Sequence, residues 1–481
     1  MYTRVDAEAV TRLAEIVGSA NVLTAGEAMA AYTHDETPML TGQPEVVVKA
    51  GSRDEIVAIL RYANERRIPV TPRAGGQGLS GGAVPVVGGI VLSVERMNRI
   101  LEIDRENLMV TVEPGVITGD LHRAVEAEGL FYPPDPASLD SCCIGGNVAE
   151  GAGGPRAVKY GTTKDYVTGL EVVLPSGELL TLGGKLVKDV SGYNLVQLMI
   201  GSEGTLGVIT KIVLRLLPLP KASIDLLVPY DSLEQAADTV SAIIAECIIP
   251  TTIEFMTRDT VKACENLMGK EVPFSDATAK LLIQLTGQRQ EEVEADMDRV
   301  GELCLDHGAI DVLVASDRAT SDRLWEARRL IIEALKHESP INHMEDVSVP
   351  RANIPPLIRG VDEIGKRIGI RALCFGHAGD GNVHVNLLKC DLDEAVYEER
   401  LEQARGAIYD LTLSLGGTIT GEHGIGVTRK GYLPQALGDV QVALMRRIKD
   451  AFDPHHILNP GKIFMKRRAA PCPARCLGMS Q

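Results

Sequence analysis

The 481-residue sequence has no apolar run approaching the roughly 18 residues that a membrane span needs. Its first eight residues, MYTRVDAE, lack the apolar core of a signal peptide. Positive charge is scarce. The 49 Lys and Arg against 65 Asp and Glu leave a formal net charge of −16, the wrong sign for gripping nucleic-acid phosphates. The nine cysteines, odd in number and scattered, suit a reducing cytosol better than a disulfide framework. No internal repeat and no low-complexity linker is present. The expectation is a cytoplasmic globular protein that reaches the inner membrane only peripherally, through a partner. Its length predicts two or three domains at roughly 100–200 residues each.

What the sequence has in abundance is glycine, 48 residues of it, in clusters. Around them residues 1–220 alternate strand-like runs with short helices. Val46, Val47 and Val48 predict a strand. Ser52-Arg53-Asp54-Glu55 is a capping box opening a helix through Arg66, with Ile56, Ile59, Leu60 and Ala63 on one face. Residues 70–73, 89–94 and 108–113 read as strands, and 169–183 as a hairpin turning at Pro175-Ser176-Gly177. A strand over 208–217 is stopped by Pro218-Leu219-Pro220, which marks a domain boundary. Beyond it, strands are predicted at 223–228, 251–256, 280–285 and 310–316, with helices at 232–247, 291–307 and 321–337. That order predicts an α+β layer in which helices cover an antiparallel sheet. The division is 1–220, 221–415, 416–466 and a disordered tail over 467–481; the family resemblance given below implies that 221–415 is a substrate or cap domain and that 416–466 returns to the first domain.

The first glycine cluster, PRAGGQGLSGG at 72–82, contains a formal G-x-G-x-x-G at Gly76, Gly78 and Gly81. It is not a dinucleotide-fold fingerprint. No helix can follow through Gly82, Pro85, Gly88 and Gly89, and no acidic residue ends a second strand about twenty positions on. Consecutive backbone N–H groups can still form an anion nest. YPPDPAS at 132–138, GGNVAEGAGG at 145–154, Tyr160-Gly161 and GSEGTLGVIT at 201–210 follow. Such density lets backbone approach a large flat ligand along its length.

These segments, in this order, resemble the FAD-binding domain of the vanillyl-alcohol oxidase (PCMH-type) flavoproteins. The branch is that of the glycolate oxidase FAD subunit, D-lactate dehydrogenase and D-2-hydroxyglutarate dehydrogenase, and the likeness spans roughly residues 5–466. It implies an α+β architecture: a two-subdomain FAD-binding domain and an FAD-linked oxidase C-terminal cap with an antiparallel sheet. The resemblance assigns the pyrophosphate cradle to Pro72, Arg73, Ala74, Gly75, Gly76, Gln77, Gly78, Leu79 and Ser80. It lines the cofactor further with Pro134, Asp135, Ser138, Gly145, Gly146, Asn147, Gly151, Gly154, Gly161, Glu203, Gly204, Ile209 and Asn459. Some relatives attach the flavin covalently through a His in the first loop. Gln77 stands there, which implies non-covalent FAD. Cys142 and Cys143 read as small buried residues.

The sharpest motif is His377-Ala378-Gly379-Asp380-Gly381-Asn382-Val383-His384-Val385-Asn386. Asp380-Gly381 is the dipeptide of two-residue hairpin turns. Counting outward from such a turn pairs 377 with 384, so the two imidazoles face each other, with Asn386 on the same face. Glu422 and His423, adjacent on extended chain, point opposite ways and can do different jobs. Two His and a carboxylate leave positions open, as catalytic metal sites do. In the family resembled, the equivalents of His377, His384 and Glu422 hold a divalent metal, often zinc, and that of His423 is the catalytic base. Arg328, on the helix LWEAR, matches the family's carboxylate-binding Arg, which can clamp through two parallel hydrogen bonds. The dicarboxylate branch carries a Lys just before the landmark Asp346; here the stretch reads His343-Met344-Glu345-Asp346, against a second substrate carboxylate. His455 and His456 are packing residues rather than ligands, and Cys472 and Cys476 in the tail are a weak iron–sulfur signal.

The expected reaction is FAD-dependent oxidation of a small D-2-hydroxy acid, D-lactate or glycolate, with His423, Arg328 and Asn386 as the active side chains. Electrons would leave to an electron-transfer flavoprotein, an iron–sulfur subunit, a cytochrome or quinone. Three readings compete. A non-redox ether-lipid synthase on this fold needs no such metal, a silent flavin subunit would lack the ligands, and a zinc hydrolase leaves the glycine clusters unexplained.

Overall fold

The computed structural model describes residues 2–315 and 317–466. The tail with Cys472 and Cys476, and Ser316 at the end of a predicted strand, lie outside the described residues. The chain opens on a four-stranded sheet in which Ile90–Ser93 is flanked in parallel by Val46–Lys49 and Val70–Arg73. Helix Arg53–Arg66 covers it. Ser52 caps its start by accepting the Glu55 N–H at 3.2 Å, and Ile56, Ile59, Leu60 and Ala63 are buried against the sheet. Full burial of each of the three larger side chains contributes about 1.5–3 kcal/mol. Pro72 is tolerated because its strand is the edge of this sheet, where a missing N–H breaks no ladder.

A second, five-stranded sheet is antiparallel throughout, in the order Ile100–Asp104, Met109–Val112, Val208–Arg215, Val167–Val173, Leu179–Gly183. The last pair is the hairpin predicted around Pro175. Strand Ile100–Asp104 and helix Ile144–Glu150, inside the second glycine cluster, went unread because neither carries a period of its own.

Residues beyond 220 form one seven-stranded antiparallel sheet: Leu313–Ala315, Ala222–Tyr230, Ala279–Gly287, Thr252–Thr257, Arg371–His377, Asn382–Leu388, Asn342–Ser348. Alternation along each strand gives the sheet two apolar faces. Phe255, Leu281, Ile283, Val383 and Val385 pack on helices Leu233–Ala245, Gln290–Asp306, Ile354–Ile368 and Glu394–Ser414. Met256, Leu282, Leu373, Phe375 and Leu388 face the other way, toward helices Arg258–Met268 and Arg318–Glu338. The uncovered part of this second face carries the polar residues described below. No helix among the described residues is long and apolar enough to cross a membrane.

The C-terminal segment runs back onto the first sheet. Val70 donates to the Ile457 carbonyl at 2.8 Å and its own carbonyl accepts the Asn459 N–H at 2.7 Å, extending the edge at Val70. Helix Asp439–Phe452 supplies Lys449, whose buried Nζ donates to Asp453 (2.6 Å) and to the carbonyls of Thr205 (2.6 Å) and Leu458 (2.9 Å). Lys449→Met leaves Asp453 buried without its counter-charge and should cost about 3–5 kcal/mol. The thermal unfolding midpoint reads this out; an unchanged midpoint would remove this network from the account of how the segment is held.

Candidate active site

A cleft of about 470 Å³ separates the glycine loops from the cap, within the ~300–1,000 Å³ span of small-molecule sites. Pro72, Arg73, Ala74, Gly75, Gly76, Gln77, Gly78 and Leu79 line it, with Ser138, Gly145, Gly146, Asn147, Glu203, Gly204, Ile209 and Asn459. Among the described residues no acceptor meets the backbone N–H groups of Gly75, Gly76, Gln77, Gly78 or Leu79. Five uncommitted donors in succession are the equipment of an anion nest, so the residues present fit the pyrophosphate of FAD. Cys142 and Cys143 are buried in the cleft wall, and burial pushes the Cys143 thiol up to about 11.

Six residues assigned to the cofactor do not line the cleft. The Pro134 carbonyl is engaged by the His122 ring at 2.9 Å, Asp135 pairs with Arg156 at 3.1 Å, and the Ser80 carbonyl accepts the Val427 N–H at 2.7 Å. Gly151 and Gly161 close helices Ile144–Glu150 and Ala157–Tyr160, and Gly154 lies against the Asp135 backbone. These residues shape the wall from behind. The cap side of the cleft, including Ile332, Lys336, Asn342, Arg405 and Arg429, was missed in the sequence, whereas Met344 and Glu345 were singled out there. Two signals existed: Ile332 and Lys336 continue the helical face of Arg328 at i+4 and i+8, and Asn342 alternates with Met344 and Asp346.

The His377 hairpin departs from the two-residue turn. His377 pairs with Asn382 and Phe375 with His384, so residues 378–381 form a four-residue loop. Gly381 accounts for this: at φ +89° its backbone presses on the Val349 carbonyl, where any Cβ would collide. The imidazoles are therefore diagonal rather than opposed, yet share a face, with Nε2 atoms 3.4 Å apart. Across the neighbouring strands the same face presents Glu254 beside His377 and Asp346 beside His384. Asn386 follows on this face, 1% exposed, its Nδ2 without a partner.

Glu422 reaches the cluster from the 420–426 segment. Its Oε1 lies 3.8 Å from His377 Nε2, 3.6 Å from His384 Nε2 and 3.7 Å from His423 Nε2. Gly153 permits this approach, since a Cβ there would stand 2.7 Å from Glu422 Oε2. Ligands at 2.0–2.1 Å on a tetrahedral zinc sit roughly 3.3 Å apart, so His377, His384 and Glu422 fit a divalent ion. Asp346, His384, Glu422 and His423 also offer atoms within 4.8 Å of one another. Asp346 is the poorer ligand, because Thr420, Gly421, Glu422, His423 and Asn382 already donate to it. The Nδ1 atoms of His384 and His423 are buried without partners.

The two imidazoles sit in opposite electrostatic surroundings. Burial pushes His384 down to about 3, leaving it neutral. Burial opposes charge on His377 as well, but Glu254 and then Glu422 outweigh it and raise its pKa well above the imidazole norm. Glu254 is fully buried; Arg328 and His377 overcome that burial and hold it at about 2. A carboxylate behind a ligating imidazole fixes its orientation and tautomer. Glu254 takes that place, sharing a 2.5 Å hydrogen bond with His377 Nδ1.

Arg328 does not line the cleft. Its Nε and Nη2 donate to Glu254 Oε2 at 2.7 and 2.5 Å, and its guanidinium lies 4.9 Å from the Phe375 ring centre. Its carboxylate partner comes from the protein. Among the described residues no acceptor meets Nη1, so one edge of the guanidinium remains uncommitted. Arg328→Met should leave Glu254 buried with one partner and cost about 3–5 kcal/mol of stability, whereas Arg328→Lys retains the charge and should lose less. Equal losses in equilibrium unfolding would show that charge is not what Arg328 contributes.

The family described as FAD linked oxidases, C-terminal domain, matches residues 219–463, and that described as FAD binding domain matches residues 44–183. The chain is 44% identical to the glycolate oxidase subunit GlcD of Bacillus subtilis, over 95% of this chain and 96% of the relative. It is 40% identical to a D-lactate dehydrogenase of Anaerostipes hadrus, over 97% and 99%, and 36% identical to a D-2-hydroxyglutarate dehydrogenase of Xanthomonas citri, over 90% and 92%. Among solved structures, substrate-bound p-cresol methylhydroxylase superposes with a TM-score of 0.80 at 19% identity, over 95% of this chain and 96% of that one. An alkyldihydroxyacetonephosphate synthase gives 0.74 at 20% identity, over 96% and 86%. The fold is thus the PCMH type with an oxidase cap, and the chain belongs to the FAD-linked oxidases, in the branch of the glycolate oxidase subunits and the D-lactate and D-2-hydroxyglutarate dehydrogenases.

Proposed function

We propose that the protein oxidises a small D-2-hydroxy acid, D-lactate or glycolate, to the 2-oxo acid. FAD is held non-covalently, since the first glycine loop carries Gln77 and no His of its own. The observation that carries the reading is the meeting of His377 and His384 with Glu422 and His423, of which Glu422 and His423 line the cleft beside the glycine loops. Bound FAD would supply the hydride acceptor, and a divalent ion, zinc by the chemistry of two imidazoles and a carboxylate, would polarise the substrate hydroxyl.

The chain's own residues do the rest. His423 Nε2 accepts the hydroxyl proton as the carbon-bound hydrogen departs with its electron pair. Arg328 stands behind the lining residues with Nε and Nη2 turned to Glu254, and it offers the substrate carboxylate only its remaining Nη1 side, which orients the carbon that must face the flavin. Asn386, whose cross-strand neighbours Met344 and Leu373 are apolar, donates from Nδ2 to a substrate oxygen. Met344 and Glu345 in the wall disfavour a second carboxylate: Met344 cannot pair with it, and Arg405, Arg429 and Tyr409 overcome burial to keep Glu345 anionic. Electrons then pass to a separate acceptor, an electron-transfer flavoprotein, an iron–sulfur subunit, a cytochrome or quinone.

Anaerobic mixing with D-lactate, L-lactate, glycolate and D-2-hydroxyglutarate tests this. D-lactate or glycolate should bleach the flavin band and L-lactate should not; a yellow protein bleached by none of the four overturns the reading. His423→Ala should retain FAD but slow reduction about 10²–10⁴-fold at saturating substrate. Chelation of the metal should stop reduction, and full activity in metal-free protein would remove the ion from the mechanism.

A further inference from the structure

The segment that carries Glu422 and His423 has no regular secondary structure, yet buried carboxylates hold both its ends. On the cap side Asp346, fully buried, uses one oxygen to accept from Thr420 Oγ1 (2.9 Å) and from the backbone N–H groups of Gly421 (2.9 Å), Glu422 (2.8 Å) and His423 (2.9 Å). Its second oxygen takes Asn382 Nδ2 at 2.6 Å. On the flavin-domain side Glu203 accepts from the Ile425 N–H at 2.8 Å and the Gly426 N–H at 2.7 Å. Glu203 does so from a left-handed backbone, φ +52°, within the turn that lines the cofactor cleft. A non-glycine residue in that region costs free energy that the surrounding contacts must offset.

Charge-assisted hydrogen bonds of this kind are about twice as strong as neutral ones. Three successive N–H groups converging on one carboxylate oxygen fix the backbone from Gly421 to His423 far more tightly than a turn closed on itself. The directions of the Glu422 and His423 side chains follow from that backbone. Between the two grips lies only Gly424, whose φ of +80° lets the chain turn from one to the other.

We propose that Asp346 is a positioning residue for the reaction: with Glu203 gripping the other end, it sets the ligand Glu422 and the base His423 in register with the imidazoles of the cap sheet. This rests on the roles given to Glu422 and His423 above. The geometry of the site accordingly depends on both domains at once. A displacement of about 1 Å at reacting groups can cost 10²-fold in rate, so the clamp acts on the chemical step rather than on substrate affinity.

The test compares FAD-loaded wild type with Asp346→Asn and Glu203→Gln, by amide hydrogen exchange and by anaerobic flavin reduction with D-lactate. In Asp346→Asn the amides of Gly421, Glu422 and His423 should lose protection while the cap strands keep theirs. The limiting reduction rate should fall about 10²-fold, with the apparent substrate dissociation constant within about threefold of wild type. Glu203→Gln should loosen Ile425 and Gly426 with the same kinetic signature. Unchanged exchange across 421–423, or a limiting rate within about threefold of wild type, overturns the proposal. If Asp346→Asn does not fold, Glu203→Gln carries the test, and unchanged exchange at 425 and 426 overturns it. Wild type that no hydroxy acid reduces defeats the functional reading instead, while the exchange arm still reports on the clamp.

Discussion

Glu254, sealed from solvent between the Arg328 guanidinium and the His377 ring, is the contact on which the rest of the site depends. A carboxylate so buried survives as an anion because the Arg328 guanidinium meets one oxygen and the His377 ring hydrogen-bonds the other. It ties a helix of the cap to the central strands and fixes the tautomer of the first imidazole. The second imidazole, with no such partner, stays neutral. The asymmetry between two histidines on one sheet face thus originates in one carboxylate two strands away from His384.

The same economy of charge runs through the cap. Glu345 is matched by Arg405 and Tyr409, Asp346 by a fan of N–H groups, and Glu422 by the imidazoles that surround it. Each anion is answered locally, so the cap can carry these carboxylates beside a cleft that must itself admit an anionic cofactor and substrate.

Much of this architecture could be read from the sequence, because its signals are local. The capping box at Ser52, the hairpin at Pro175 and the long strands after Pro220 are each encoded within a dozen residues. The glycine clusters marked the cofactor side of the cleft, and His377, His384, Glu422 and His423 were recognisable as a group. What escaped depends on register. Asp380-Gly381 announces a turn but not its length, so the imidazoles were paired two residues off. Arg328 was expected to keep a free fork, but its partner Glu254 lies in a strand 74 residues earlier that only the sheet order brings alongside. Asp346 was a landmark without a role, since a carboxylate that gathers backbone N–H groups leaves no trace in spacing. Arg405, buried in the middle of a helix, looks in sequence like any exposed charge.

The edge strand Val70–Arg73 carries a consequence for biosynthesis. Its outer neighbour is supplied by residues 457–459, almost four hundred positions downstream, and Asn459 there reaches back to the carbonyls of Gly82 and Glu203. A ribosome that has released the whole first domain has therefore not yet delivered the wall that finishes its cofactor cleft. Contacts of such separation form late, after the loop they close has been ordered. Completion of the cleft therefore waits for the last part of the chain, and a chain ending before residue 457 lacks the Asn459 bonds that join its two glycine loops.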